Sequence, residues 1–299
     1  RDAPGTEESG WQELVIRHLG LSEWIRQRFT DELDLLGPYA TAGLRRHGLL
    51  WPALLHGHAP TLEAARGGSV LTGEGGDEVL GPQRITPLVQ VVRRRVPVGR
   101  RSLGHVVLAL SPMAARRSVI RRLLSHQRDR PYLRPDTRRR YDQAVADELA
   151  RVPLRWDRGV RSRRSHRGVQ TGLFRNLDLL ARHADVQMLH PLLDNGFLAS
   201  LAARGGVWGF ATRGATLAAV AGDLLPPAVT TRTTKAVFTS GVFREPSRAF
   251  ARTWDGTGVD PTLVDPELLR ATWLAPEPDA RSFLLLHQAW LAGEAAAGR

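Results

Sequence analysis

Apolar positions in the first third of the chain fall mostly at helical spacing and give way to a strand-like run only once. Trp11, Leu14, Val15 and Leu19 share one helical face, and Gly20 follows where a left-handed residue ends a helix. Residues 1–10 read as a loop and 22–29 as weakly patterned. Residues 39–47 predict a helix, 49–56 a short apolar run, and 61–66 a helix ended by Gly67 and Gly68. Ser69, Val70 and Leu71 then predict the end of a buried strand. Helix, glycine, strand, turn, helix is the rhythm of βα units around a parallel sheet. Beyond Pro82 the pattern changes. Residues 89–95 and 105–110 fit strand or helix equally. Residues 111–125 predict a helix with Ser111 as N-cap and Pro112 in its first position. Residues 138–150, 172–183, 191–204 and 215–225 predict helices, 128–137 is a charged, proline-containing connector, and 156–167 is a basic stretch expected to be mobile. The expected fold is α/β in a single domain, with an α/β part over 1–90 and a mainly helical lobe over 91–299.

The strand-like run opens the most informative stretch, Ser-Val-Leu-Thr-Gly-Glu-Gly-Gly-Asp-Glu-Val-Leu-Gly-Pro from Ser69 to Pro82. Gly73, Gly75 and Gly76 permit positive φ and close approach of a ligand to the backbone. A strand, a glycine turn and an acidic helix start make the usual ligand position of an open α/β sheet, at the carboxyl ends of its strands. Glu74 and Asp77 argue against direct phosphate cradling and for Mg²⁺, which takes one or two carboxylates together with phosphate oxygens. The same residues also describe an ordinary turn into a helix whose dipole favours acidic side chains in its first turn.

Composition narrows the classes. Of 299 residues, 42% are hydrophobic and 24% charged, a globular balance. The absence of cysteine excludes disulfides, thiolate metal sites and a thiol nucleophile. No apolar run reaches the length of a membrane span, and no signal peptide is expected. The net charge of +12 is carried almost wholly by arginine, with Lys235 the only lysine. The arginines are dispersed and lack interleaved aromatics. A solvated basic face therefore ranks first, an anionic substrate second and nucleic acid third.

The Thr72–Gly81 segment resembles the Ser-Gly-Glu-Gly-Ser-Asp-Glu segment of the asparagine synthetase superfamily, ATP-dependent and AMP-forming amide ligases. His190-Pro191-Leu192-Leu193-Asp194 is similar to a second family stretch, in the form associated with the peptide-cyclising branch. Asp194 fits an N-cap equally well, and His190 reads as a packed loop residue. Leu225-Pro226-Pro227, followed by a basic segment with Lys235 and Phe238, resembles a third. The three lie in family order and together cover about residues 11–245.

The resemblance implies a parallel sheet of the adenine-nucleotide α-hydrolase (HUP-like) type with a large helical lobe, and ATP and Mg²⁺ as cofactors. It implies that Asp77 binds Mg²⁺ and through it pyrophosphate. Gly73, Gly75 and Gly76 would shape the turn around the nucleotide, and Glu74 would line the acyl site. Lys235 would be the catalytic cation that stabilises charge developing during acyl transfer. The family's pyrophosphate loop, Ser-Gly-Gly-x-Asp-Ser, does not occur in these 299 residues. The expectation is a fragment of a longer enzyme, a chain completed by a partner that supplies the loop, or an inactive scaffold; the chain alone is expected not to exchange ATP. Two substrates compete: free aspartate converted to asparagine, and a peptide side-chain carboxylate joined to the peptide's own N-terminus, as in lasso-peptide macrocyclisation. Expected partners are a small-molecule or peptide carboxylate and a precursor peptide, with neither nucleic acid nor membrane, in a cytoplasmic enzyme.

Overall fold

Gly20 takes the left-handed conformation, φ +63°, immediately after the first helix. Leu21 donates to the Ile16 carbonyl at 3.1 Å and Gly20 to that of Arg17 at 3.2 Å, so two end carbonyls of the helix are satisfied by the chain that leaves it. This computed structural model describes residues 8–298 apart from 128, 163–168, 233 and 235–238. The elements before the site are α1 (Ser9–His18), α2 (Pro38–His47), a 3-10 segment (Ala53–His58), α3 (Ala59–Ala64) and β1 (Ser69–Leu71). There follow α4 (Gly76–Leu80), α5 (Thr86–Val92), α6 (Arg100–Leu110), α7 (Met113–His126), α8 (Pro135–Arg151), α9 (Trp156–Ser162) and α10 (Arg175–His183). The chain then gives β2 (Gln187–Leu189), α11 (Asn195–Gly205), α12 (Arg213–Ala221), α13 (Pro227–Thr231), α14 (Thr239–Val242), α15 (Glu245–Thr253), α16 (Pro266–Leu274) and α17 (Phe283–Ala297).

The fold is mostly helical α/β. Among the described residues its sheet has two strands, β1 and β2, parallel, with Ser69 opposite Gln187, Val70 opposite Met188 and Leu71 opposite Leu189. Parallel strands need a crossover connection, and here helices α4 to α10 supply it. Of the two ambiguous stretches, 89–92 end α5, with 93–95 a turn after it, and 105–110 are the second half of α6. Ser111 is not the N-cap of α7: it terminates α6, and the carbonyl of Pro112 accepts the first intrahelical bond, from Arg116 at 3.0 Å, which places Pro112 at the cap. None of the described helices is long and apolar enough to cross a membrane.

Three apolar clusters hold these elements. One lies under α4 and joins Val79, Ile85, Trp156, Leu193, Leu198 and Leu201. A second supports the strands with Leu62, Leu177, Ala181, Val186 and Met188. The third joins residues near the start of the chain, Leu35 and Leu44, to Trp254, Trp273, Phe283 and Leu286 near its end. Asp34, 1% exposed, sits in that third region. Its carboxylate accepts from the backbone N–H of Leu36 at 2.8 Å, of Ser247 at 3.1 Å and of Arg244, and from the Ser247 hydroxyl. Burial raises its pKa, and these donors act against that rise. Buried His287 donates its Nε2–H to the Leu35 carbonyl at 2.8 Å. Its ring meets that of buried His56 at 5.6 Å.

Candidate active site

The site is built where β1 and β2 end. The ladder continues one step past β1, with Thr72 donating its N–H to the Leu189 carbonyl at 2.9 Å. The next side chains of the two strands then meet: the Thr72 hydroxyl lies 2.7 Å from Nδ1 of His190. The Glu74 N–H donates to the same hydroxyl at 3.3 Å, which ties the turn to the strand end. The turn closes with Gly76 donating to the Gly73 carbonyl at 3.0 Å. Gly75 has φ +86°, and a Cβ there would lie 2.3 Å from Cγ of Leu193. Both facts require glycine: one is the backbone region that L side chains avoid, the other the seat of Leu193 against the turn. Gly76 faces Leu192, 3.4 Å from where a Cβ would stand, whereas Gly73 faces open space.

The first two family-like segments therefore touch, although more than a hundred residues separate them. Leu193 and Val79 belong to one buried cluster, so the helix start that carries Asp77 is fixed from below. Asp77 is exposed in the first turn of α4, and Glu74 is half-buried beside the turn. Asp194 caps α11: its Oδ1 accepts from Gly196 at 2.8 Å and from Phe197 at 3.1 Å, as a capping aspartate does. The third family-like segment approaches through α12, which packs against both α4 and α13. Lys235 lies outside the described residues.

Beside the strand ends opens a cavity of about 610 Å³ lined by Phe174, Asp178, Leu189, His190, Pro191 and Asp194. Its walls are mixed, with apolar rings and stems interrupted by two carboxylates and an imidazole. The His190 ring stands 4.7 Å from that of Phe174. Burial holds the His190 pKa down, Asp178 pulls it upward and His58 lowers it further. His190 Nε2 is buried without a hydrogen-bond partner among the described residues.

Three residues here carry no local sequence signal of a role. His190 reads as loop packing and Thr72 as turn, yet they join the two strands. His58, at the end of the 3-10 segment, stands with Nε2 3.7 Å from Glu74 Oε1. Burial lowers the His58 pKa and the Glu74 carboxylate opposes that lowering. The only hint is position: His58 begins the helix that returns the chain to β1, which puts it at the sheet end where Glu74 emerges.

Among the described residues no three His, Cys, Asp or Glu side chains gather closely enough to hold a metal ion. That suits a cation carried in with phosphate, because Mg²⁺ keeps several waters and takes only one or two carboxylates from the protein. Exposed Asp77, in the first turn of α4 next to the glycine turn, has the chemistry for such a role.

No curated protein and no solved structure matches the chain. The family model for asparagine synthase matches residues 2–292, nearly the whole of it. With two family-like segments in contact at the strand ends and a match of that length, the chain belongs to the asparagine synthase family, whose members are ATP-dependent amide ligases.

Proposed function

We propose that the protein forms amides by activating a peptide side-chain carboxylate with ATP and passing the acyl group to an amine of the same peptide, as in lasso-peptide macrocyclisation. In this reading β1 and β2 are two strands of a HUP-like nucleotide sheet, and the turn from Thr72 to Gly76 receives the nucleotide. A carboxylate oxygen attacks the α-phosphorus of ATP. The new acyl–phosphate bond forms as the bond to pyrophosphate breaks. Asp77 would hold Mg²⁺, which would supply neutralisation of phosphate charge. Gly73, Gly75 and Gly76 keep the turn low enough for the nucleotide to approach. Glu74 faces the acyl site and orients the incoming amine. Lys235 stabilises the charge that develops on the acyl oxygen and the leaving phosphate.

The observation that supports a peptide over free aspartate is the cavity at the strand ends. Its volume of about 610 Å³ lies in the range of pockets for drug-sized ligands, ~300–1,000 Å³, more than a single amino acid fills. Phe174, Leu189 and Pro191 offer it apolar walls that a free aspartate does not need.

The test is ATP–pyrophosphate exchange by the complete protein, beside the 299-residue chain. One arm receives L-aspartate and the other short synthetic peptides with a single internal Asp or Glu. Exchange with peptides alone supports the proposal, exchange with aspartate alone assigns asparagine formation, and exchange with neither makes the fold a scaffold. Lys235→Ala then separates binding from chemistry. Nucleotide affinity should hold while single-turnover amide formation falls on the order of 10²–10³-fold, since a cation that meets developing charge acts on the rate. Lys235→Arg should rescue poorly, because the guanidinium is broader than the ammonium.

A further inference from the structure

We propose that the outward faces of α6 and α7 dock on an anionic lipid surface. The inference does not depend on the ligase reading and concerns residues outside the strand-end site.

Charge sets the first constraint. The arginines are dispersed along the chain, but carboxylates do not match them evenly. The fifty residues 79–128 hold eleven arginines and no aspartate or glutamate. The remaining sequence has 31 Lys and Arg against 30 Asp and Glu, so this one stretch carries nearly all of the +12 net charge. Elsewhere, arginines find carboxylates: Arg45 pairs with Glu294 at 2.7 Å and Arg134 with Asp265 at 2.9 Å. Within the stretch, Arg84 and buried Arg116 are occupied by backbone carbonyls at helix ends, those of Ala109, Ser111, Ala150 and Val152. Arg117 reaches Asp147 at 2.6 Å. Arg100, Arg101, Arg121 and Arg122 are exposed and meet no carboxylate among the described residues.

The apolar pattern sets the second. In α6, Leu103, Val107 and Leu110 recur at i, i+4 and i+7, with Arg100 one turn before them, and make a single row. That row is turned away from the core, which the same helix meets through Ala109. Helix α7 begins after only Ser111 and Pro112. There Met113, Val119 and Leu123 project, the last two one turn apart with Arg121 and Arg122 between them. All six side chains are between 45% and 66% exposed. Single exposed apolar residues are ordinary, but rows repeated on successive helices mark a surface that is covered in use.

Charge and projection together choose what covers it. A basic helix with an apolar row is the pattern that lies in the plane of a bilayer interface, with cationic side chains at the headgroup phosphates and apolar ones at the acyl boundary. Nucleic acid fits the charge but has no use for the leucine and valine rows, and residues 79–128 contain no Phe, Trp or Tyr to stack on bases. A protein groove receives one helix, whereas the projecting residues here span two, and a fluid lipid surface adapts to both. The expectation of no membrane contact came from the absence of a spanning run. A face that lies on a surface needs no such run.

The test is sedimentation of the complete protein with vesicles of phosphatidylglycerol and phosphatidylcholine in equal parts, beside vesicles of phosphatidylcholine alone. Binding is expected to the anionic vesicles and not to the neutral ones, and it should weaken as salt rises. Leu103→Ser combined with Val107→Ser should lower the affinity roughly ten-fold or more, because two apolar side chains no longer enter the acyl boundary. Arg100→Gln and Arg121→Gln should each lower it roughly five-fold. These positions are exposed, so melting temperatures should match wild type, and Arg45→Gln, from a paired arginine outside the stretch, should bind as wild type does. Equal binding to both vesicles, or binding to the anionic ones that the serine pair leaves unchanged, reduces the effect to bulk attraction and overturns the docking face. No binding to either vesicle overturns it in favour of a protein partner. Tighter binding to duplex DNA than to the anionic vesicles at the same salt assigns the arginines to nucleic acid and overturns it as well.

Discussion

Two polar clusters among the described residues are built on opposite principles. Around Asp34 every acceptor is used: backbone N–H groups of Leu36, Arg244 and Ser247 and the Ser247 hydroxyl all point at one carboxylate. At the strand ends the polar groups are left incomplete. His190 Nε2 has no partner among the described residues, and His58 stands beyond hydrogen-bond distance from Glu74. A saturated network fixes one conformation, because breaking any member strands buried donors. An unsaturated one has capacity left for a ligand. The Asp34 cluster is accordingly the anchor between the two ends of the chain, and the strand-end cluster is where chemistry fits.

The largest expected effect falls on the anchor. Asp34→Ala strands the donors that converge on it and should lower stability by about 3–5 kcal/mol, read as a fall in melting temperature with cooperative unfolding retained. A loss no larger than that of a surface substitution would remove the distinction between the two clusters.

Outside the saturated carboxylate, the packing beside the anchor should be sensitive to acid, because His56 Nε2 and His287 Nδ1 are buried there without a hydrogen-bond partner among the described residues. His56 and His287 are both buried, and burial is the first cause that lowers each pKa from 6.5 to about 4. Between those values the unfolded chain binds protons that the fold does not, so stability is present above the window and is lost as pH falls through it. The loss amounts to up to about 3 kcal/mol for each histidine across the full window. Denaturant melts between pH 7 and pH 4 measure it, and ring NMR identifies the residues. Two imidazoles titrating near their ordinary values would contradict the assignment.

A smaller effect lies at the junction of the two family-like segments. Gly75→Ala places a methyl against Leu193 at positive φ and should cost about 1–3 kcal/mol. Melting temperature reports the cost, and unchanged stability would mean that Leu193 moves aside freely.

The smallest effect belongs to the site itself. In the complete protein, Asp77→Asn keeps the shape of an exposed side chain, so its stability change should stay under about 1 kcal/mol while ATP–pyrophosphate exchange disappears. A drop of many degrees in melting temperature would instead make Asp77 a structural element of α4.

The contrast between anchor and site follows what the chain reveals locally. β1 and its turn were legible because glycines, acidic residues and a short apolar run fall together at 69–80, but the expected burial of the strand was not met: Ser69 and Leu71 are exposed and only Val70 is partly covered. The capping role of Asp194 was legible as one of two readings, since an aspartate before a helix has few other local uses. β2 was not: Gln-Met-Leu is three residues long, and only the partner strand makes it one. Asp34 was invisible for the same reason, as its donors at 244 and 247 come from the far end of the chain. His58 and His190 carry ordinary local sequence, and their roles arise from through-space neighbours. The ambiguity at 89–95 and 105–110 resolved to helix because neither stretch pairs with β1 or β2 and both pack as helices on each other.

The pairing of β1 with β2 has a consequence for how the protein is made. Thr72 and His190 are 118 positions apart, so a ribosome has to add every residue between them before the two strand ends can meet. Synthesis at roughly 5–20 residues per second leaves the emerging polypeptide for several seconds with a glycine turn and no opposite wall. Closing so long an excursion costs little more than closing one of half the length, since the entropy grows only with the logarithm of the span. The helices between the two strands can therefore be lengthened, shortened or exchanged over evolutionary time while Thr72 and His190 still find each other.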